Sequence, residues 1–372
     1  MPQDEPGGFK AIVMGDPQPR NMLEVDYLRR DIIEPMLSEG LGETAAFGVS
    51  LGDLTFDALH LFEPQNRVIA RLGVPWFNVI GNHDINTGMT NLFDDESFER
   101  VFGPPNHAFR WGNAVFLVLD NIYSNGDGWE PRFGDDTVRF ARNVVARARD
   151  ARLVVAMAHC PLGSVTDRVA MLDALHDPEA PGDRRVLFLT AHWHQHFHEF
   201  WGVDQGWHGL EPLHHVVHVT ASGSWWGGER DARGIPDATM SCGAPNGFSL
   251  LHVDEGQYRI EFRGASEPAS FQMRIESPIA PIDGSSTGLG VAVNVFNGTA
   301  RSRVSARAVL RRPTEAALPW VDLAMDPDKR HVWIGELAIP RDADVVRIEA
   351  RTIDMHGVAH TAKRALNSDA GP

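Results

Sequence analysis

Gly81-Asn82-His83-Asp84 directly follows the apolar run of residues 74–80 (VPWFNVI). A β-branched apolar run that ends in glycine and then polar residues reads as a buried strand entering a loop at its carboxyl end. Open α/β sheets carry their ligand chemistry there. Asparagine offers a neutral oxygen ligand, histidine is a proton donor tunable near neutral pH, and glycine admits a tight turn. An Asn-His turn without chemistry is as common, so the tetrapeptide gains its weight from the other strand ends. Residues 9–14 (FKAIVM) run into Gly15-Asp16-Pro17-Gln18, and residues 44–51 run into Gly52-Asp53 with Asp57 close behind. Residues 153–158 (LVVAMA) end in His159, and residues 186–190 (VLFLT) end in Ala191-His192-Trp193-His194. Five apolar strands ending in Asp, Asp, Asn-His, His and His-x-His are hard to explain by turn formation. Two divalent cations about 3.5 to 4 Å apart need a bridging carboxylate plus imidazole and oxygen ligands, and such a pair generates hydroxide for an in-line displacement.

The elements that position these residues alternate. Residues 21–38 place Met22, Val25, Leu28, Ile32, Met36 and Leu37 at helical spacing behind an Asn21 cap, with Pro35 able to bend the helix. A helical stretch also separates the second strand from the third, residues 114–119 form another buried strand ending in Asp120-Asn121, and residues 136–149 form an amphipathic helix. Toward the C-terminus come residues 258–262 and 271–275. A linker-like passage through Pro278, Pro281, Gly284, Ser285 and Ser286 follows, and then short alternating runs at 291–296, 303–310, 331–337, 345–351 and 358–365. Short strands at this spacing predict a small sandwich. It carries no His, Asp or Cys cluster resembling a site, so a structural or docking role is expected of it.

The 372 residues exceed what one core usually serves, and 43% hydrophobic content is ordinary for a globular protein. A net charge of −16 argues against a nucleic-acid or anionic-membrane surface. Cys160 and Cys242 are too few for a disulfide framework and lack CxxC spacing. No run of about 18 apolar residues is present and the opening MPQDEPGG has no signal-peptide core, which predicts a soluble chain with no membrane span.

The motif series Asp16-Pro17-Gln18, Gly52-Asp53, Gly81-Asn82-His83-Asp84, His159 and Ala191-His192-Trp193-His194 resembles that of the calcineurin-like metallophosphoesterases. Gln18 stands where most members have His, and Ala191 where Gly is usual. A D-P-Q variant occurs in one branch of that superfamily, in which Gln18 would still bind through its side-chain oxygen. Ala191 would matter only if the turn needed positive φ. The stretches 213–215, 223–228 and 243–248 resemble a bacterial branch with its own C-terminal domain. In that branch a β-domain precedes the catalytic core and export is common. The first residues here look like the end of that module's linker, and an extracytoplasmic location is expected.

The resemblance implies a four-layer αββα core over residues 1–265, a linker over 266–285 and a β-sandwich over 286–372. By the family pattern Asp16, Gln18, Asp53 and His194 would hold one metal, and Asp53, Asn82, His159 and His192 the other. Asp53 would bridge them. A hydroxide between the metals would attack phosphorus, and His83, outside the ligand set, would protonate the leaving alkoxide, with Asp57 or Asp84 orienting it. Loop bracing is the equal alternative for Asp84. Mixed nitrogen and oxygen ligands suit Mn, Fe or Zn.

The expected substrate is a small-molecule or glycan-linked phosphomonoester or phosphodiester, with no protein partner evident. His215, Trp225, Trp226 and Asn246 are candidates to touch it, and a structural role for His214 or His215 is nearly as well supported. One of the two tryptophans is expected to reach substrate, since glycines flank them in a loop. His196 and His198 are expected at the surface. The competing reading is a catalytically weakened shell that binds a phosphorylated glycan; complete retention of the seven ligand-type residues favours the enzyme.

Overall fold

The structure is a computed structural model and describes residues 8–179, 184–279, 287–311 and 316–366. Contacts divide the chain into two compact units, residues 1–266 and 267–372.

In the first unit, strands Phe9–Met14, Phe47–Ser50 and Trp76–Asn78 lie side by side in parallel, and the antiparallel pair Gly247–Asp254 and Gln257–Gly264 extends their sheet from the other edge of Phe9–Met14. A second sheet, six strands wide, has Ala114–Val118, Leu153–Met157, Arg185–Thr190 and Leu213–Val217 parallel at its centre, with antiparallel edges at His107–Trp111 and Phe197–Trp201. The central strands are buried on both faces, which is why they read as unbroken Val/Leu/Ile runs.

Three cores separate the layers. Ala11, Val13, Phe47, Phe116, Leu187 and Val216 interdigitate between the sheets. Ile12, Met14, Leu28, Ile32 and Phe248 face the helices that cover the first sheet, and Phe98, Leu117, Val138, Val154 and Phe188 face those covering the second. The order of layers is helix, sheet, sheet, helix, as expected.

Local differences have local causes. The helix expected over 21–38 begins at Met22 under an Asn21 cap that accepts from Leu23 N and Glu24 N. It widens into a π turn at Arg29–Ile33 just before Pro35, whose missing N–H cannot serve the regular ladder. Thr44 closes a short helix, Leu41–Thr44, rather than opening a strand.

Among its described residues, the regular elements of the C-terminal unit are all strands. Met273–Ser277, Gly288–Val295, Val332–Ala338 and Ala324–Met325 make one sheet; Arg303–Leu310, Val345–Ile353, Ala359–Ala365 and two short strands make the other. Val293, Ile348, Trp333 and Leu337 fill the space between them. Part of the expected linker is therefore structural: Met273–Ser277 pairs with Gly288–Val295. Pro281, Gly284, Ser285 and Ser286 lie outside the described residues.

Candidate metal centre

Every residue of the motif series sits just past the carboxyl end of a parallel strand, and the two sheets bring those ends together. Asp53 is the hub. Its Oδ2 accepts from Gln18 Nε2 at 2.9 Å and lies 3.2 Å from His159 Nε2, while its Oδ1 accepts the backbone N–H of His83 at 3.0 Å. Gly81 makes this approach possible: a Cβ there would stand 2.1 Å from Asp53 N and 2.3 Å from its Oδ1.

His159 directs Nδ1 to the Leu51 carbonyl at 2.9 Å, which leaves Nε2 facing Asn82 Oδ1 and His192 Nδ1, each at 3.1 Å. Asp53, His159 and His192 offer ligand atoms within 4.8 Å of one another. On the other side, His194 ties Nδ1 to the Gly223 carbonyl and points Nε2 toward Asp16 Oδ1, 3.9 Å away. Asp16 Oδ2 accepts from His192 N at 3.1 Å.

The set fits divalent cations. Asp16 Oδ1 and Gln18 Oε1 are buried without a hydrogen-bond partner, an arrangement costly to a fold unless the oxygens meet a ligand. The imidazole nitrogens of His159 and His192 face each other at hydrogen-bond distance, as lone pairs converging on one point would. Burial pushes the Asp16 carboxyl well above its usual range, and the Asp53 charge adds to that. Burial opposes the Asp53 charge too, but the His159 imidazole overrides it and holds Asp53 at about 2. Burial lowers His192 to about 3, keeping it the neutral imidazole a metal needs, whereas against its burial the Asp53 carboxylate raises His159 to about 9, so a cation bound there displaces a proton.

Backbone strain concentrates here. Of the eleven non-glycine residues at positive φ among the described residues, eight are Asp16, Gln18, Asp53, Asp57, His192, His194, Trp225 and Trp226. Each costs on the order of 1 to 3 kcal/mol, and such strain collects where function holds it. Ala191 is not among them, so its replacement of glycine is without penalty.

His83 stands outside the ligand set. Its Nδ1 is 2.8 Å from Asp57 Oδ1, and its ring stacks on Phe56 at 4.2 Å and 21°. Asp57 is thus placed to orient it. Asp84 is not: its carboxylate accepts from the backbone N–H groups of Leu54, Thr55 and Gly81, so the bracing alternative applies and the orienting role is corrected.

The aromatic candidates divide. Trp225 is half-buried and lies against His194 at 4.2 Å, with Phe56 edge-on at 6.0 Å. Trp226 is buried in the core beside Tyr27, so its expected contact with substrate is corrected. His215 is likewise buried, with Nδ1 on Glu199 and Nε2 on Thr190, and Asn246 spends its amide on Asp31 and Ala221; both brace the fold. His196 and His198 are buried rather than exposed, because the edge strand Phe197–Trp201 packs inward. His196 accepts from Val219 N, and His198 meets His214, which reaches Tyr258.

Sequence reasoning missed Phe56 and Trp129, whose ring meets His192 edge-on at 5.8 Å. Periodicity carries no signal for either, because both lie outside the regular runs.

Residues 215–313 match the family described as the C terminal of Calcineurin-like phosphoesterase. With the converging strand-end ligands, that match supports a calcineurin-like metallophosphoesterase with a C-terminal domain. Among solved structures, a purple acid phosphatase from yellow lupin (Lupinus luteus) seeds is 13% identical with a TM-score of 0.46, covering 71% of this chain and 52% of the lupin chain. The chain thus spans about half the length of that enzyme. A metallophosphoesterase from Sphaerobacter thermophilus is 15% identical with a TM-score of 0.31, covering 68% of this chain and 90% of its own. No curated protein matches the chain.

Proposed function

We propose that the chain is a metal-dependent phosphoesterase acting on a phosphomonoester or phosphodiester, with a dinuclear centre held by Asp16, Gln18, Asp53 and His194 on one side and Asp53, Asn82, His159 and His192 on the other. Bound cations supply Lewis acidity and a water ionised near neutral pH. Asp53 serves both halves, and its low proton affinity keeps it an anion across the working range. Gln18 contributes through Oε1 once its amide is donated to Asp53.

His83 delivers a proton from Nε2 to the leaving oxygen, since Nδ1 is committed to Asp57 and the backbone is fixed to Asp53. Trp225 forms a wall beside Phe56 and His194, and mixed N and O ligands admit Mn, Fe or Zn. An extracytoplasmic site of action rests on the branch resemblance alone.

The observation that carries this reading is the convergence of seven ligand-type residues with a histidine beside them, outside the set, hydrogen-bonded to an exposed carboxylate. The test is a screen of phosphate esters against the protein reconstituted separately with Mn, Fe and Zn. Turnover that depends on added metal supports the reading, and no turnover with any metal contradicts it.

A further inference from the structure

The loops that follow the ligand-bearing strands carry exposed apolar side chains where a phosphate-binding rim would ordinarily carry cations. Met89 is 50% exposed, Leu92 76% and Phe93 49%, all in the segment after His83, and Trp193, between His192 and His194, is 39% exposed. Three large apolar side chains so open to water within residues 89–93 mark a surface that another apolar group covers.

The segment is anchored beside the centre. Thr90 bridges Asn125, Asn91 N donates to Ser124 O at 3.0 Å, and Ser124 pairs in register with Trp129, whose ring abuts His192. The backbone that carries Met89, Leu92 and Phe93 is therefore held against the hairpin that carries Trp129.

Charge sharpens the choice of ligand. Residues 72–99 and 111–131 contain no lysine or arginine, while Asp94, Asp95, Asp127 and Glu130 lie within them; Arg132, next in the Trp129 hairpin, lies over the Tyr123 ring with Glu130 3.7 Å away. On the Trp225 side, Arg20 is engaged by Glu24 and by the Trp225 carbonyl. A leaving group with further phosphates or carboxylates would meet these acidic side chains, with Arg132 already held by Tyr123, Glu130 and Asp167; a sugar would leave Met89 and Leu92 unused.

We infer that the ester this site takes carries a neutral, apolar chain on the alcohol side, lying along Trp129, Met89, Leu92 and Phe93. This rests on the phosphoesterase reading and specifies its substrate class. Burial of each methylene against such a wall contributes about two- to fourfold in affinity, the upper figure for complete removal from water.

The test uses n-alkyl phosphates and n-alkyl 4-nitrophenyl phosphates from ethyl to hexyl, below micelle-forming concentrations, with glucose 1-phosphate as a polar control. Alongside runs calorimetric binding of n-alkylphosphonates to the metal-reconstituted protein. The expected result is that kcat/KM in at least one ester series, and phosphonate affinity, both climb about two- to fourfold per methylene. The climb should flatten in Leu92→Gln/Phe93→Ser, and separately in Trp129→Gln, with melting temperatures showing that the variants fold.

Turnover with no chain-length gradient, or a preference for glucose 1-phosphate, overturns the inference and leaves the phosphoesterase reading standing. A gradient in phosphonate binding with no turnover on any ester supports the apolar site and contradicts the hydrolytic reading. No gradient in either measurement overturns the inference.

Discussion

Replacing His83 with alanine removes one ring and leaves the metal centre's scaffold in place, because the bond from His83 N to Asp53 Oδ1 at 3.0 Å is a backbone bond. What goes is the proton on Nε2, together with the Asp57 bond and the Phe56 stack that aim it. General acid catalysis contributes about 10² to 10⁴-fold, or about 3 to 5.5 kcal/mol of barrier, where the leaving alkoxide is a strong base. A nitrophenolate needs little of it. His83→Ala should therefore lower kcat/KM for an alkyl phosphate by about 10² to 10⁴-fold and for nitrophenyl phosphate by under about tenfold, with metal content unchanged. Asp57→Asn keeps an oxygen for Nδ1–H but loses the charge, so its loss on the alkyl ester should be smaller, about 10 to 100-fold, as when a partner that orients a catalytic imidazole is removed. Steady-state kinetics on both esters, with metal measured on the same samples, decides the matter. Equal losses on the two esters, or loss of metal from His83→Ala, would refute the proton-donor role.

Trp226→Ala should cost about 3 to 5 kcal/mol of stability as a core truncation, whereas Trp225→Ala should spare the melting temperature and weaken kcat/KM for the preferred substrate by about ten- to a hundredfold, as the loss of one stacking surface does. Gly81→Ala should lower metal content and activity together, since its Cβ would collide with Asp53's backbone nitrogen, and wild-type loading of that variant would contradict the packing described. In the C-terminal unit, burial depresses His331 to about 4 from an ordinary value near 6.5. The unfolded chain then binds a proton that the folded one refuses, so stability falls as pH drops from about 6.5 toward 4, by about 2 kcal/mol at pH 5. Denaturant unfolding of the full chain at pH 7 and pH 5 should show a gap that His331→Gln narrows, and an unchanged gap would sink the assignment.

Much of the catalytic unit is legible because parallel strands buried on both faces must be apolar from end to end. Run 9–14 coincides with its strand to the residue, and run 153–158 overruns the strand Leu153–Met157 by one. Polar residues directly after such runs are conspicuous for the same reason. What could not be read depends on which surface another element covers. His196 and His198 alternate like an exposed edge, but the neighbouring strand Leu213–Val217 and Tyr258 close over them. Asp84 looks like a partner for the adjacent His83, yet its carboxylate turns back to three backbone N–H groups that only the folded loop assembles. Trp225 and Trp226 are indistinguishable in sequence, and positive φ at both positions sends one ring to the core and the other to His194.

Asp53 is the residue on which both halves of the proposed centre depend, through Gln18 on one side and His159 on the other. Elemental analysis and turnover of Asp53→Ala beside the unaltered protein is the most direct test. The account predicts two cations per chain in the unaltered protein, with both cations and turnover lost in the variant while the fold persists by circular dichroism. Wild-type turnover by Asp53→Ala would contradict it.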